Sequence, residues 1–187
     1  TVQTSINVAS QPSSLALSAD GRYLVVAHYG NFAAPGSSVN ALTVIDLNTN
    51  ARQTFALGNP PLGVAFGIDN RALVVTTQEF LLFDPVSGTT QTLETVSGLV
   101  AKTLPQPVGN FPPNVVEASV GASGDGLTIY GFSENLKFRY DVLTKAIYGG
   151  LYSASPRLGP RAVSVSHDGR LAGMGWGLAD RTLYSPN

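Results

Sequence analysis

The sequence has few of the residues that build redox, metal and cofactor sites. It contains no cysteine, one methionine, one tryptophan and two histidines among 187 residues. The absence of cysteine excludes disulfides and thiolate metal sites, and it is compatible with an exported bacterial protein. No Asp-x-Asp-x-Asp cluster of the kind that binds calcium is present. We therefore expect no metal and no cofactor.

Charge and long apolar runs are also scarce. Charged residues make up 12% of the chain and the net charge is −1, so no basic face is expected to bind nucleic acid or an anionic membrane. No run of 18 apolar residues occurs, which predicts no membrane insertion. The chain begins at Thr1 and shows no signal peptide, which indicates a processed or trimmed product.

One pattern is repeated four times. It reads LALSADGR at 15–22, VAFGIDNR at 64–71, VGASGDGL at 120–127 and VSVSHDGR at 163–170. The spacings between its aspartates Asp20, Asp69, Asp125 and Asp168 are 49, 56 and 43 residues. A period of this length with short strands and tight polar turns is typical of β-propeller blades.

The predicted fold is therefore all-β, a β-propeller with four four-stranded antiparallel blades in a single domain over 1–187. The blades are expected at about 11–57, 58–97, 114–150 and 158–187, with residues 1–8 as the strand that closes the fourth blade. In that blade the third strand is predicted at Thr182–Tyr184, and no helix of useful length is predicted anywhere. Two alternatives remain, a closed four-bladed ring and a piece of a larger propeller. The first gives a monomer, and a homodimer that completes an eight-bladed ring is a further option.

Three stretches resemble the YVTN-type propeller repeats, which are similar to lactonase-like and surface-layer propellers. They are SADGR at 18–22, ALTVIDLNT at 41–49 and LGNPPLGVAF at 57–66. The tetrad that gives the family its name is absent, and VVAH at 25–28 and VVTT at 74–77 stand in its place. The resemblance implies about seven blades, which favours a piece of a larger ring. The family motif is structural, so no catalytic residue is implied.

Propeller topology predicts that the irregular segments lie together on one face, which we call the loop-rich face. The opposite face, here the turn face, carries the regular Asp turns. His28 is expected on the first and His167 on the second, so they should not share a metal. The candidate binding residues of the loop-rich face are His28, Tyr29, Asn31, Phe32, Phe111, Arg157, Arg161, Trp176 and Asp180. Aromatic and arginine side chains anchor interfaces, although such aromatics can also pack within their own loops.

The aspartates of the turns are expected to bond to turn amides and not to calcium. No Gly-x-Ser-x-Gly nucleophile elbow occurs. The sequence thus predicts a non-enzymatic interaction or recognition module that binds a protein or glycan through the loop-rich face. We expect it outside the cytoplasm, in the periplasm, secreted or at the cell surface. The alternatives are part of a propeller enzyme of lactonase or lyase type and a structural surface-layer component.

Overall fold

The computed structural model describes residues 5–9, 11–29, 40–103, 114–151 and 162–184. Within these ranges the chain forms four antiparallel sheets in chain order, which are the blades of a propeller. Blade 1 contains β1 (Pro12–Leu17), β2 (Tyr23–His28), β3 (Ala41–Asp46) and β4 (Ala51–Ala56). Blade 2 contains β5 (Pro61–Phe66), β6 (Ala72–Thr76), β7 (Glu79–Asp84) and β8 (Thr89–Thr95). After α1 (Val96–Thr103), blade 3 contains β9 (Ser119–Ala122), β10 (Thr128–Phe132), β11 (Leu136–Asp141) and β12 (Ala146–Leu151). Blade 4 contains β13 (Val163–Val165), β14 (Leu171–Met174) and β15 (Gly177–Asp180).

Each blade is a meander whose first strand lies innermost, as the sequence predicted. The innermost strands of successive blades contact one another, β1 with β5, β5 with β9 and β9 with β13. Among the described residues, no contact of that extent joins blade 4 to blade 1. The four blades therefore form an arc whose two ends do not meet through these strands.

Apolar clusters between successive blades hold the arc together. We call the face of a blade that contacts the previous blade its leading face, and the opposite one its trailing face. Val25 and Val44 on the trailing face of blade 1 pack against Val64 and Phe83 of blade 2. The next junction joins Phe80 of blade 2 to Phe138 of blade 3, with ring centroids 4.9 Å apart in an edge-to-face arrangement. The third joins Tyr130 and Phe132 of blade 3 to Met174 and Ala172 of blade 4.

Near the axis the innermost strands approach so closely that two positions favour glycine. A Cβ on Gly121 of β9 would lie 2.9 Å from Val163 Cγ1 of β13, and one on Gly63 of β5 would lie 3.1 Å from Val120 Cγ2 of β9. Glycine inside a strand commonly marks such a close approach of another element. The two glycines thus let consecutive blades converge at the centre.

The repeated aspartates organise the turns between the first and second strands, as predicted. Asp20 Oδ1 accepts hydrogen bonds from Ser18 Oγ at 2.5 Å and from the Arg22 amide at 3.0 Å. Asp125 and Asp168 accept the equivalent pairs, from a serine two residues earlier and an amide two residues later. Blade 2 has glycine in place of that serine, and Asp69 accepts from the Arg71 amide alone. The carboxylate of each turn is therefore used locally.

These turns also bond to each other from blade to blade. The Asp20 amide donates to Asn70 Oδ1 at 3.0 Å, which links the first turn to the second. The Ile68 amide donates to the Gly126 carbonyl at 2.8 Å, and the Asp125 amide donates to the His167 carbonyl at 2.9 Å. The turns of blades 1, 2 and 3 thus each donate one backbone N–H to the turn of the following blade.

The prediction that no helix occurs was wrong. Thr95 Oγ1 accepts the Gly98 amide at 2.9 Å, the contact expected of an N-cap residue at the start of α1. Val96, Leu99 and Val100 are buried against the core between blades 2 and 3. Eight residues are too few to show a helical period, so packing determines this helix.

No helix within the described ranges is long and apolar enough to span a membrane.

Blade 4 also differs from the prediction. Its third strand is Gly177–Asp180 and not Thr182–Tyr184, because a two-residue turn, Gly175-Trp176, replaces the expected loop. Its sheet has three strands among the described residues. Residues 1–8 were expected to supply the fourth, but residues 5–8 are in no strand, and the Asn7 carbonyl instead accepts a hydrogen bond from Arg52 of β4. Residues 1–4 of that predicted strand lie outside the described ranges.

The junction between blades 2 and 3 should be the site most sensitive to truncation. We expect Phe138→Ala to lower the free energy of unfolding by about 3–5 kcal/mol, because it removes a buried ring and leaves a cavity. Leu143→Ala, at an exposed turn of the same blade, is the control and should change it by less than about 0.5 kcal/mol. Urea unfolding measures both, and equal losses would contradict this account of the core.

The Asp turns predict loss of stability in acid. Hydrogen bonds from Ser18 and Ser123 lower the pKa of Asp20 and Asp125, and the Arg170 amide does the same for Asp168. These pKa values are lower in the folded than in the unfolded chain, so the ionised carboxylates stabilise the fold. Their contribution to the free energy of unfolding is complete above the unfolded pKa near 3.8 and is lost as pH falls through the folded pKa values. The urea midpoint should therefore fall between about pH 4 and about pH 2. The double variant Asp125→Asn, Asp168→Asn should show a shallower fall, and an unchanged pH profile would contradict it.

Candidate binding face

The turns between second and third strands reach the loop-rich face, and three of them lie within the described ranges. They are two-residue turns at Thr77-Gln78, Glu134-Asn135 and Gly175-Trp176, in blades 2, 3 and 4. These turns are shorter than the sequence had suggested for blade 4. The loop-rich face therefore has rigid turns beside the longer connections between blades.

Hydroxyl groups shape the first two of these turns. Thr76 Oγ1 accepts the amides of Gln78 at 3.2 Å and Glu79 at 2.9 Å, and it donates to the Glu79 carbonyl at 3.0 Å. Ser133 Oγ likewise accepts the Leu136 amide at 3.2 Å in blade 3. Such side-chain bonds to nearby amides are an alternative to the strand ladder and end it abruptly.

Trp176 lies at the tip of the third turn, on the loop-rich face as expected. Its side chain is 80% exposed, the highest value among the exposed large apolar residues within the described ranges. Gly175 has a positive φ of 59°, which a tight turn needs and which glycine adopts at no steric cost. The indole is therefore held out from a rigid hairpin and does not pack within its own loop.

His28 is not on an open loop. It is the last residue of β2, its side chain is 1% exposed, and its Nε2 lies 2.9 Å from Thr43 Oγ1. Thr43 Oγ1 in turn lies 3.2 Å from Thr54 Oγ1, so a short polar chain crosses the sheet of blade 1. Tyr29 follows directly, is half-buried, and its amide donates to the Gln11 carbonyl at 3.2 Å.

Asp180 lies on the opposite, turn face. It ends β15, as Asp46, Asp84 and Asp141 end the third strands of the other blades, and its Oδ1 accepts the Thr182 amide at 2.8 Å. A hydrogen bond from the Thr182 hydroxyl, together with this one from the Thr182 amide, lowers the pKa of Asp180. The expectation that Asp180 is on the loop-rich face was wrong because the third strand begins five residues earlier than predicted.

The other candidates lie outside the described ranges: Asn31, Phe32, Phe111, Arg157 and Arg161.

Two glutamates of the loop-rich face were not among the predicted residues. Glu79 accepts hydrogen bonds from Asn59 Nδ2 at 2.8 Å and Thr92 Oγ1 at 2.9 Å. Glu134 Oε1 accepts the Val116 amide at 3.0 Å, while its Oε2 is buried without a hydrogen-bond partner among the described residues. Beyond this turn, burial lowers the pKa of Lys137 on β11. The signal in the sequence was the Thr76 or Ser133 that precedes the turns of blades 2 and 3.

A shallow polar depression lies beside the turn of blade 2. Its lining consists of Gln78, Glu79, Thr95, Ser97 and Asn114. These side chains offer both donors and acceptors of hydrogen bonds. Within the described ranges, no group of three or more His, Cys, Asp or Glu residues is placed to hold a metal ion.

No family model matches the chain. Antigen Lp49 of Leptospira interrogans is 37% identical over 82 residues, which are 40% of this chain and 18% of that protein. The chain therefore spans about a fifth of the length of this curated relative.

The similar solved structures include three β-propeller proteins. The extracellular domain of BT4673 of B. thetaiotaomicron, described as a one-component system, matches with a TM-score of 0.60 and 18% identity over 96% of this chain and 22% of that one. Hydrazine synthase of Kuenenia stuttgartiensis matches with a TM-score of 0.59 and 16% identity over 92% of this chain and 45% of that one. The periplasmic gluconolactonase of Pseudomonas aeruginosa matches with a TM-score of 0.58 and 19% identity over 90% of this chain and 51% of that one. At these identities the likeness concerns the fold, and the chain has the β-propeller fold.

The burial of His28 predicts a structural role for this side chain. We expect His28→Ala to lower the free energy of unfolding by about 1–3 kcal/mol, because the Thr43 hydroxyl loses its buried partner. The other histidine supplies a matched control, because His167 is exposed. His167→Ala should change the free energy of unfolding by less than about 0.5 kcal/mol. Urea unfolding compares the two, and equal stability of both variants would contradict the structural role.

Proposed function

We propose that this chain is a propeller recognition module that binds a protein or glycan partner through its loop-rich face. The strands serve as a scaffold, and the side chains at the ends of the blades make the contacts. We further propose that its repeats are of YVTN type and that it acts outside the cytoplasm.

The exposed indole of Trp176 is the observation that carries the proposal. Exposing most of a large apolar side chain to water is unfavourable, and the turn could hold a polar residue without loss of packing. Tryptophan is among the residues that contribute most to binding when a partner buries it. A rigid hairpin also reduces the conformational entropy that binding would cost.

The polar depression of blade 2 supports the same face. Its amide, hydroxyl and carboxylate groups surround a solvent-open hollow. A ligand with hydroxyl or amide groups would form hydrogen bonds with these side chains, and both glycans and polypeptides have such groups.

The location outside the cytoplasm is supported by the similar proteins. One of them is an extracellular domain and another is a periplasmic enzyme. The YVTN assignment is supported by the strand–Asp-turn–strand units, which the structure places at the innermost hairpin of each blade.

Trp176 is the single tryptophan of the chain and therefore reports on this face by its own fluorescence. We would screen an array of immobilised oligosaccharides and an array of purified extracellular proteins, then titrate each hit into dilute protein. We expect the indole emission to shift to shorter wavelength and iodide quenching to fall as a partner covers Trp176. Trp176→Ala should weaken binding at least 10-fold, the effect expected of an interface anchor.

Val86→Ala is the matched control, because Val86 is an exposed apolar residue on the turn face. It should leave affinity unchanged. Binding that survives Trp176→Ala, or hits that leave the fluorescence unaltered, would contradict the proposed face. Hydrolysis of gluconolactone by the purified chain would instead favour the enzymatic alternative.

A further inference from the structure

Glu79 stands at a position where the other four-stranded blades have a buried apolar residue. It is the first residue of β7, five residues before the aspartate that ends the strand. Ala41 and Leu136 occupy the same place in β3 and β11, and they are 3% and 1% exposed. Blade 2 therefore has a carboxylate where packing alone favours an apolar side chain.

Neutral donors hold this carboxylate in place. Asn59 Nδ2, in the connection between blades 1 and 2, donates to one oxygen at 2.8 Å, and Thr92 Oγ1 of β8 donates to the other at 2.9 Å. No basic side chain within the described ranges forms an ion pair with Glu79. The negative charge thus has two hydrogen bonds and no counter-charge from the described part of the chain.

A β-bulge in blade 2 keeps a second carboxylate away from Glu79. The register of β7 and β8 shifts between Phe80 and Leu81, so Glu79 lies opposite Thr95. The unshifted register would place it opposite Glu94. The pairing of β3 with β4 and of β11 with β12 has no such shift. Like charges directly opposite each other are unfavourable, and bulges often re-aim side chains beside functional sites.

Glu94 has a cation of its own. One of its oxygens accepts the Thr95 amide at 3.0 Å, and the other forms an ion pair with Lys102 of α1. The hydrogen bond from Lys102 lowers the pKa of Glu94. Of the two carboxylates, Glu94 is therefore neutralised within the chain, and Glu79 brings an uncompensated charge to this part of the loop-rich face.

Glu79 lines the polar depression of blade 2 together with neutral polar side chains. The hollow is open to solvent and has a volume of about 560 Å³. Its other lining residues, Gln78, Thr95, Ser97 and Asn114, are exposed and have amide or hydroxyl groups. Such a lining offers hydrogen bonds on several sides of one charge, which suits a polar or cationic group.

The walls of the depression are tied to the turn Thr77-Gln78 by backbone hydrogen bonds. The Val96 amide at the start of α1 donates to the Gln78 carbonyl at 2.8 Å. The Val115 amide, next to the lining residue at position 114, donates to the Thr77 carbonyl at 2.9 Å. Because these segments are already fixed, binding here costs little conformational entropy.

We propose that this depression binds an arginine side chain of a protein partner, with the guanidinium on Glu79. An ionised carboxylate has about four acceptor positions, and Asn59 and Thr92 use one on each oxygen. Each oxygen can therefore accept one further N–H, as the parallel pair of an arginine and a carboxylate requires. The inference rests on the proposed recognition function, and it names the chemistry of the partner at one site of the loop-rich face.

The charge favours arginine over a sugar or a lysine. A neutral sugar would form hydrogen bonds with the half-buried Glu79 but would leave it without a counter-charge. A lysine ammonium supplies the charge as a single point, whereas the planar guanidinium matches both oxygens and has further N–H groups for the amide and hydroxyl oxygens of the lining. Arginine is also enriched among the residues that dominate binding at protein interfaces.

Titration of the isotope-labelled full chain with N-acetyl-arginine methylamide, followed by NMR, tests the site. We expect saturable shifts of the side-chain amide signals of Gln78 and Asn114. The lysine analogue should bind several-fold more weakly. The citrulline analogue, which keeps the shape without the charge, should bind at least about 10-fold more weakly, as expected for the loss of a charged hydrogen bond. Equal binding of arginine and citrulline analogues would overturn the proposal, and so would shifts of these signals with maltotriose alone, which would favour a glycan.

Glu79→Gln removes the charge and keeps the size of the side chain and an acceptor for Asn59. It should weaken binding of the arginine analogue at least about 10-fold. Glu94→Gln is the matched control, because it removes the same charge beside the depression from a residue that already has a cation; it should change affinity by less than about twofold. Unchanged affinity of Glu79→Gln would contradict the site. The comparison of arginine with citrulline needs no variant, so it decides the question even if Glu79→Gln is unstable.

The arginine site and the recognition face fail in different experiments. Trp176→Ala, in blade 4, should leave the titration with the arginine analogue unchanged, and a loss of its shifts would contradict a site at Glu79. If the arginine analogue does not bind while a screened partner still covers Trp176, the arginine site is wrong and the recognition face stands. If the analogue binds but no partner depends on Trp176, the arginine site stands and the proposed face around Trp176 is wrong.

Discussion

Every blade of this protein is a sheet that is apolar on both faces, and the structure follows from the need to cover both. The central strands of blade 2 illustrate it, because all five residues of β6 are buried and the first four alternate between two different clusters. A sheet of this kind is unstable alone and requires a neighbour on each side. Stacking blades around an axis satisfies that requirement with one type of junction, repeated. The glycines near the axis and the bonds between turns are the details that let the junction repeat at close range.

The same constraint separates scaffold from surface. Side chains in the middle of a strand are committed to a junction, whereas residues at the ends of the strands are free to vary. On the turn face the aspartates are occupied by their own turns, which leaves little capacity for a ligand. On the loop-rich face Trp176 is exposed and the depression of blade 2 is open to solvent, although Glu79 and Thr95 in its lining already accept hydrogen bonds within the chain. The proposed recognition surface therefore lies at that face.

The requirement also explains the irregular parts of the arc. The longest spacing between turn aspartates, 56 residues, contains α1, which covers the outer part of the junction between blades 2 and 3. Gly149 of β12 lies so close to this helix that a Cβ there would be 2.8 Å from Leu99 Cγ. At the two ends of the arc Leu15 and Leu17 of blade 1 and Leu171 and Leu178 of blade 4 are exposed. Regular and irregular features thus have one cause.

The sequence by itself determined the blades. Alternating apolar residues, the Asp turns and their spacing specify strand, turn and repeat through short-range chemistry, so the antiparallel blades of a propeller and the local roles of Asp20, Asp125 and Asp168 were predicted correctly. Only the tertiary structure decided α1, the short turn at Trp176, the burial of His28 and the position of Asp180. Each of these depends on what packs against the segment, and residues far apart in the chain determine that. The exposure of Leu15 and Leu178 belongs to the second group as well, because exposure depends on neighbouring residues and no local pattern in the sequence reveals it.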